Sequence, residues 1–209
     1  MKLNRLEYMA MNSPMRAFVQ EHYELRILRA MSATTGRSMV LEIGCGNGHG
    51  TSLIKKYYWP ENIVAIDLDE KMIGLATKRN HDPAICYKVM DTAKMEFPDG
   101  YFDSIFDFAI IHHIPNWRDA LRELRRVLRP GGELIIEDLS IASFSTGIGL
   151  LWKRLSDHPY EYMYTPREFT EFLKEIGFAV IEYRETNPLG IVKFFWLVAI
   201  ANEGQATVA

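Results

Sequence analysis

Three glycines spaced at every second residue, Gly44, Gly46 and Gly48, follow a short apolar run. A strand that enters such a turn and continues into a helix places backbone N–H groups and the positive end of the helix dipole beside a ligand. The spacing is G-x-G-x-G, whereas a dinucleotide-binding turn requires G-x-G-x-x-G, and the lysine of a phosphate-binding P-loop is missing. The turn therefore predicts a nucleotide or nucleoside ligand and argues against NAD and ATP.

Two adjacent histidines, His112 and His113, follow the predicted fourth strand and are candidates for a general base. Ligands of α/β proteins bind at the carboxyl ends of parallel strands, and imidazole titrates near neutral pH. The alternative is a structural role in which His113 ties down the loop that follows. We predict His112 and His113 as the catalytic residues, with His49 and His158 as weaker candidates.

Alternating strands and helices position these residues. A helix is predicted from Ser13 to Gly36, and the pattern β-α-β then repeats. This alternation predicts a parallel sheet covered by helices on both faces, which two extended runs near the C-terminus close as an antiparallel pair. The predicted strands are Met39–Ile43, Ile63–Asp67, Ile85–Met90, Ser104–Ala109, Gly132–Asp138, Phe178–Arg184 and Ile191–Ile200, and the later helices are Gly50–Tyr58, Glu70–Arg79, Trp117–Leu128 and Pro166–Ile176.

Five segments in order carry a resemblance to a known family. The segment Val40–Gly48 is similar to the first motif of class I S-adenosylmethionine-dependent methyltransferases. The other four similar segments are Val64–Asp69, Met90–Ala93, Phe97–Asp103 and Leu128–Gly132. Together they cover residues 38–138, and the nearest subgroup is the small-molecule type that includes ubiquinone and menaquinone biosynthesis enzymes. The resemblance implies a Rossmann-like α/β fold with a mostly parallel seven-stranded sheet, helices on both faces and an antiparallel C-terminal strand pair.

The resemblance also implies a role for individual residues. In this family the glycine turn lies under the methionine portion of S-adenosylmethionine, and the acid at the Glu42 position holds its ammonium group. Asp67 would accept hydrogen bonds from both ribose hydroxyls, and Asp91 would accept one from the adenine amino group. Asp69 is better suited to capping the following helix. The predicted cofactor-binding set is Glu42, Gly44, Cys45, Gly46, Asn47, Gly48, Asp67, Leu68, Met72, Asp91, Thr92, Ala93 and Asp107.

Acidic residues at the ends of the predicted fourth and fifth strands are candidates for a metal site. Asp107 together with Glu137 or Asp138 would supply carboxylates suited to a hard cation. Metal-dependent members of the family add an asparagine beside the second acid, and here Leu139 follows Asp138. We therefore predict no metal, and expect backbone contact between the Asp107 region and the cofactor.

No repeat or Pro/Ser-rich linker divides the sequence, so a single methyltransferase domain over residues 1–209 is predicted. Its parts are a helical lid over 1–36, a cofactor-binding core over 38–138, a substrate-side insertion over 139–165, and a C-terminal helix and strand pair over 166–201. The insertion contains Tyr160, Tyr162 and Tyr164, which are spaced to line an acceptor pocket or, alternatively, to cover the core.

Composition limits the partners. The net charge of −3 gives no reason to expect nucleic acid, and two cysteines without ligand spacing signal neither zinc nor a disulfide framework. No signal peptide or membrane-spanning run is evident, so a cytoplasmic location without stable membrane insertion is expected. A homodimer is compatible with the sequence.

The predicted function is transfer of a methyl group from S-adenosylmethionine, with S-adenosylhomocysteine as product, to a small acceptor. The acceptor nucleophile is oxygen, nitrogen or carbon on an aromatic or lipid-like molecule. Two alternatives come from other classes: a non-catalytic S-adenosylmethionine-binding regulatory protein, and a methyltransferase acting on RNA or protein. The irregular segments that build an acceptor pocket carry little transferable information, so the sequence does not name the acceptor.

Overall fold

The described part of the chain begins with a helix whose start is set by Ser13 and Pro14. The computed structural model describes residues 12–32, 35–144, 160–188 and 193–203. The Ser13 hydroxyl accepts a hydrogen bond from the backbone N–H of Arg16 at 3.2 Å, and proline occupies the first turn. Helix α1 (Pro14–Val19) continues through a π-helical turn (Gln20–Glu24) into α2 (Leu25–Met31). The helix predicted to reach Gly36 therefore ends at Met31, and residues 1–11 of the predicted lid lie outside the described residues.

The core that follows alternates strands and helices as predicted. The strands are β1 (Met39–Ile43), β2 (Asn62–Asp67), β3 (Ile85–Val89), β4 (Phe102–Phe108), β5 (Leu128–Leu139), β6 (Phe178–Thr186) and β7 (Phe194–Ala201). The helices are α3 (His49–Tyr58), α4 (Glu70–Arg79), α5 (Trp117–Val127) and α6 (Pro166–Glu175). Short 3₁₀ turns cover Ile111–His113, Ile141–Phe144 and Tyr160–Tyr162.

The seven strands form one sheet in the order β3-β2-β1-β4-β5-β7-β6. The first five strands are parallel to one another, whereas β7 pairs antiparallel with both β5 and β6. The predicted fold class, with its antiparallel C-terminal pair, is confirmed. Chain order reverses between β1 and β4, so the carboxyl ends of these strands border the crevice in which open α/β sheets bind ligands.

Helices cover the two faces of the sheet. On one face, α2 and α3 bury Leu28 and Ile54 against the β1 side chain Val40. On the other face, α5 and α6 bury Trp117 and Phe169 against β-strand residues. The sheet is therefore covered on both faces, and β2 accordingly contains a continuous buried apolar run, Ile63–Ile66, instead of an alternating pattern.

The start of β5 differs from its sequence prediction. Strand β5 begins at Leu128 instead of Gly132, because Leu128 pairs with Phe102 and the chain then bulges before Glu133 pairs with Ser104. The helix-ending Pro130 and the glycines after it lie within this bulge. Within the predicted insertion, the structure describes residues 139–144 and 160–165, and the remainder, including Trp152 and His158, is outside the described residues.

Candidate active site

The turn between β1 and α3 needs its glycines for two different reasons. Gly44 has φ +58°, and a Cβ added there would lie 2.2 Å from Cγ1 of Ile110, so a side chain is excluded by both conformation and space. Gly46 has φ +52° and nothing within 4 Å of its Cβ position. The absence of a side chain at Gly46 therefore leaves room beside the backbone, as a closely approaching ligand requires.

Asp67, the last residue of β2, organises the same turn. Its Oδ2 accepts a hydrogen bond from the Gly46 N–H at 2.9 Å, and its Oδ1 accepts one from the Asp69 N–H at 2.8 Å. Burial raises the pKa of the Asp67 carboxyl, and these two backbone donors act in the opposite direction. Asp69 itself caps α4 by accepting from the Lys71 N–H at 2.9 Å, as predicted.

Glu42 lies inside the turn near the end of β1. The Thr51 hydroxyl donates to its Oε2, and Gly50 lies so close that an added Cβ would be 2.3 Å from Oε1 of Glu42. Burial raises the pKa of the Glu42 carboxyl to about 8, and the negative charge of Asp67 acts in the same direction. A buried carboxyl of this kind is stabilised in its ionised form by a ligand that brings a positive charge.

A cavity of about 520 Å³ opens over the glycine turn. Its walls come from the N-terminal helix, the turn itself, the ends of β2 and β3, and the segment after β4. The lining residues are Asn12, Ser13, Pro14, Arg16, Ala17, Gln20, Glu42, Gly44, Cys45, Gly46, Asn47, His49, Gly50, Asp67, Leu68, Asp69, Met72, Arg79, Met90, Asp91, Thr92, Phe108, Ala109, Ile110, His113, Ile114, Pro115 and Asn116. Ten of the thirteen predicted cofactor residues belong to this set.

The remaining three predicted cofactor residues lie outside the lining. A Cβ at Gly48 would face Ala76 and Tyr87, so this glycine turns toward helix α4. Ala93 donates its N–H to Oδ1 of Asp91 at 2.9 Å and thereby shapes the turn that carries Asp91. Asp107 is fully buried, and its Oδ1 accepts from the Ile110 N–H at 2.9 Å, so its side chain supports the loop after β4.

The two predicted catalytic histidines occupy different environments. His113 lines the cavity, whereas His112 is 4% exposed and lies beneath it. The Nδ1 atom of His112 contacts Oδ1 of Asp138, and the His112 backbone N–H donates to Oδ2 of Asp138 at 3.1 Å. The Tyr164 hydroxyl donates to the same Oδ2 at 2.5 Å. His112 therefore anchors the loop that presents His113.

The tyrosines of the insertion do not line the cavity. Tyr164 is buried in the apolar core between Trp117 and Phe169, and Tyr162 is 58% exposed. The alternative in which these residues cover the core is therefore the better description of Tyr164.

Sequence reasoning predicted a helical lid but did not single out the residues by which the N-terminal helix reaches the cavity. Asn12 accepts a hydrogen bond from the Asn47 amide at 2.7 Å, and His49 Nε2 lies 3.2 Å from the Ala17 carbonyl oxygen. These contacts dock the helix on the glycine turn, so Arg16 and Gln20 reach the cavity wall. Their signal in the sequence was a four-residue spacing of polar side chains, which is also typical of a solvated helix face.

In the described ranges, no group of three or more His, Cys, Asp or Glu side chains is arranged to hold a metal ion. No helix in the same ranges has the length and apolar character needed to span a bilayer.

Comparison with known proteins identifies the domain. A family model described as a methyltransferase domain matches residues 41–136. A phthiotriol/phenolphthiotriol dimycocerosates methyltransferase of Mycobacterium tuberculosis is 33% identical over 118 residues, which cover 56% of this chain and 44% of that protein. A fatty-acid O-methyltransferase of Mycolicibacterium smegmatis is 31% identical over 109 residues, which cover 52% and 40%. The match thus spans less than half the length of either relative.

The fold gives the same answer as the sequence match. The crystal structure of an S-adenosylmethionine-dependent methyltransferase from Mesorhizobium loti superposes with a TM-score of 0.72 at 20% identity, covering 85% of this chain and 97% of that one. At this identity the superposition compares folds alone. Residues 41–136 thus belong to the methyltransferase-domain family, and the chain shares its fold with an S-adenosylmethionine-dependent methyltransferase.

Proposed function

We propose that this chain transfers the methyl group of S-adenosylmethionine to an oxygen atom of a small, lipid-like acceptor. The observation that carries the proposal is the arrangement of three carboxyl groups around one cavity. Glu42, Asp67 and Asp91 come from the ends of β1 and β2 and from just beyond β3, and all three line the space over the glycine turn. The ammonium, ribose and adenine groups of the cofactor carry hydrogen-bond donors that suit carboxylate acceptors placed in the order Glu42, Asp67, Asp91.

The described residues fit the cofactor on their own chemistry. The open space beside Gly46 admits a ligand against the backbone, and Glu42 offers a carboxylate for an ammonium group. Asp67 has capacity for the ribose, because a carboxylate has about four acceptor positions and its two backbone bonds use two of them. When bound, the cofactor would supply a sulfonium-activated methyl group; the chain supplies alignment of the acceptor and exclusion of water.

His113 is the residue that we assign to the acceptor side. It lines the cavity on the loop after β4, next to Ile114 and Pro115. An imidazole in this position accepts the proton of a hydroxyl acceptor as the oxygen attacks the methyl group. His112 holds the loop through Asp138, so we propose a positioning role for it in place of the catalytic role predicted from the sequence.

The acceptor class is supported by the relatives. One is named for a lipid and another for O-methylation of fatty acids. The acceptor-side wall of the cavity adds apolar surface from Phe108, Ile110 and Ile114. As part of the same proposal, the chain acts on a small molecule in the cytoplasm and not on nucleic acid, while the homodimer stays a prediction.

Glu42 gives the proposal a pH signature. Its carboxyl titrates near 8 in the folded protein and near 4.5 when exposed, so between these values the folded state holds an extra proton. Stability therefore falls as pH rises through this window, whereas affinity for a cofactor ammonium group rises as the carboxylate forms. We expect S-adenosylhomocysteine to bind up to about tenfold more tightly per pH unit between pH 6 and 8, since one proton is released.

Calorimetry at several pH values measures this dependence. The Glu42→Gln variant should bind S-adenosylhomocysteine more weakly and with a flatter pH profile. An unchanged slope in this variant would remove Glu42 from the ammonium site.

Methyl transfer from labelled S-adenosylmethionine tests the function. With long-chain fatty acids and lipid alcohols as acceptors, the wild-type chain should form labelled methyl esters or ethers. With a lipid alcohol, His113→Gln should lower kcat about 10²-fold or more with unchanged cofactor affinity, whereas an ionised fatty acid has no proton to give up and needs no base. Full turnover of the alcohol by His113→Gln would eliminate the base assignment. Binding of cofactor without transfer to any acceptor would favour the non-catalytic alternative, and transfer only to RNA or protein would favour the macromolecular one.

A further inference from the structure

Three polar residues spaced by four lie along the N-terminal helix. Arg16 and Gln20 line the cavity, and Glu24 is buried beneath them. The π-helical turn Gln20–Glu24 closes an i→i+5 hydrogen bond from the Leu25 N–H to the Gln20 carbonyl oxygen. Residues four apart lie on the same face of a helix, so these three side chains share one face. Single π-turns of this kind occur frequently at functional sites.

The guanidinium of Arg16 is held by an ion pair with the buried Glu24. Its Nη1 donates to Oε2 of Glu24 at 2.5 Å, and the Arg16 side chain is 18% exposed while that of Glu24 is 4% exposed. Glu137, at the end of β5, also acts electrostatically on Arg16, and burial raises the pKa of the Glu137 carboxyl. A guanidinium has five N–H donors in a planar fork, and the bond to Glu24 uses one of them.

Arg16 lies at the methionine end of the proposed cofactor site. The hydrogen bond from Asn47 to Asn12 and the contact between His49 and Ala17 fix its helix over the glycine turn. Glu42, the proposed ammonium partner, lines the same cavity. An amino acid carries a carboxylate beside its ammonium group, and this carboxylate needs donors that Glu42 does not provide.

Two arginines occur among the described residues of the cavity lining, and they differ in burial. Arg16 is partly buried and backed by Glu24, whereas Arg79, at the end of α4, is exposed. Bidentate recognition of a carboxylate gains most from a guanidinium that is already oriented and shielded from water. Arg16 meets this condition and Arg79 does not.

We propose that Arg16, assisted by the Gln20 amide, binds the carboxylate of the cofactor's methionine portion and so clamps the N-terminal helix over the occupied site. The proposal rests on the proposed function, since it assigns a further contact to the same cofactor. Glu24 orients the guanidinium through the existing ion pair and is a positioning residue. The clamp makes closure of the cavity depend on a carboxylate that S-adenosylmethionine and S-adenosylhomocysteine both carry.

The test compares ligands that differ at the carboxylate. Calorimetry on the full chain would use S-adenosylhomocysteine, its decarboxylated amine, and methylthioadenosine, which lacks the whole amino-acid portion. For the wild type we expect decarboxylation to lower affinity about tenfold to a hundredfold, the loss typical of one or two charge-assisted hydrogen bonds. Arg16→Ala should bind S-adenosylhomocysteine more weakly by a similar factor and bind the other two ligands within about twofold of wild type.

Two variants control this experiment. Arg16→Lys keeps a positive charge next to Glu24 but loses the fork, so it should show an intermediate loss for S-adenosylhomocysteine alone. Arg26→Ala removes an exposed arginine that does not line the cavity and should leave all three affinities unchanged. Thermal unfolding of each variant checks that the helix remains folded.

The outcomes separate the two proposals. Equal binding of S-adenosylhomocysteine and its decarboxylated amine by the wild type would overturn the Arg16 assignment without any variant. Unchanged cofactor affinity in Arg16→Ala together with a raised KM for the acceptor would also overturn it, since Arg16 would then contact the acceptor. Failure of the wild type to bind any of the three ligands would instead refute the proposed function.

Discussion

Replacing Asp67 by Asn is expected to weaken binding of S-adenosylhomocysteine about 10²-fold or more. Both carboxylate oxygens already accept backbone N–H bonds, from Gly46 and from Asp69, so the amide nitrogen of Asn would face a donor on one side. The two acceptor positions left for the ribose hydroxyls are reduced at the same time. Hydrogen bonds to a charged group contribute about 1.5–3 kcal/mol each, and two of them correspond to at least this loss of affinity.

Asp69→Asn is the matched control for this prediction. Asn caps a helix as well as Asp does, so the bond from the Lys71 N–H survives and α4 keeps its start. Although Asp69 lines the cavity, we expect this variant to bind within about twofold of wild type, because Asn keeps the capping acceptor and no cofactor contact is assigned to this side chain. If calorimetry shows equal losses in both variants, the effect of Asp67 is general damage to the turn, and its assignment to the ribose is wrong.

The sheet could be predicted because its signals are local. β1 is an apolar run that enters a glycine turn, and α4 lies between the capping residue Asp69 and a strand. The ends of both elements are therefore predicted by residues next to them in sequence. Helix α4 was predicted over its observed residues, and β1 likewise. The start of β5 was missed because the pairing of Leu128 with Phe102 depends on a strand that lies far away in sequence.

The candidate site was only partly predictable for the same reason. The spacing of the glycines and the acids at the strand ends indicate the cofactor side of the site, because the residues that form the turn are close together in sequence. The cavity wall formed by Arg16 and Gln20 depends on where a separate helix docks, and this is set by contacts such as that between Asn12 and Asn47. Two adjacent histidines also look equivalent in sequence, and only the partner Asp138 distinguishes the buried His112 from His113.

Asp138→Ala is expected to destabilise the fold by about 3–5 kcal/mol, the cost expected when several buried hydrogen-bond donors lose a shared acceptor. Asp138 is fully buried and accepts hydrogen bonds from the Tyr164 hydroxyl at 2.5 Å and from the backbone N–H groups of Leu139 and His112 at 2.7 and 3.1 Å. Its Oδ1 also contacts Nδ1 of His112. Alanine would leave these groups buried without their acceptor.

Tyr164→Phe provides a graded comparison, because it removes one donor and leaves the other bonds of Asp138 in place. We expect it to cost about 1–2 kcal/mol, which urea unfolding separates clearly from the loss in Asp138→Ala. A loss below about 1 kcal/mol in Asp138→Ala would show that the network is not a stabilising element.

Since His112 and His113 share one 3₁₀ turn, the loosened anchor should also lower turnover while affinity for S-adenosylhomocysteine changes little. Stability and turnover should therefore fall together in Asp138→Ala, whereas His113→Gln should lower turnover alone, and this contrast separates a positioning role from a catalytic one.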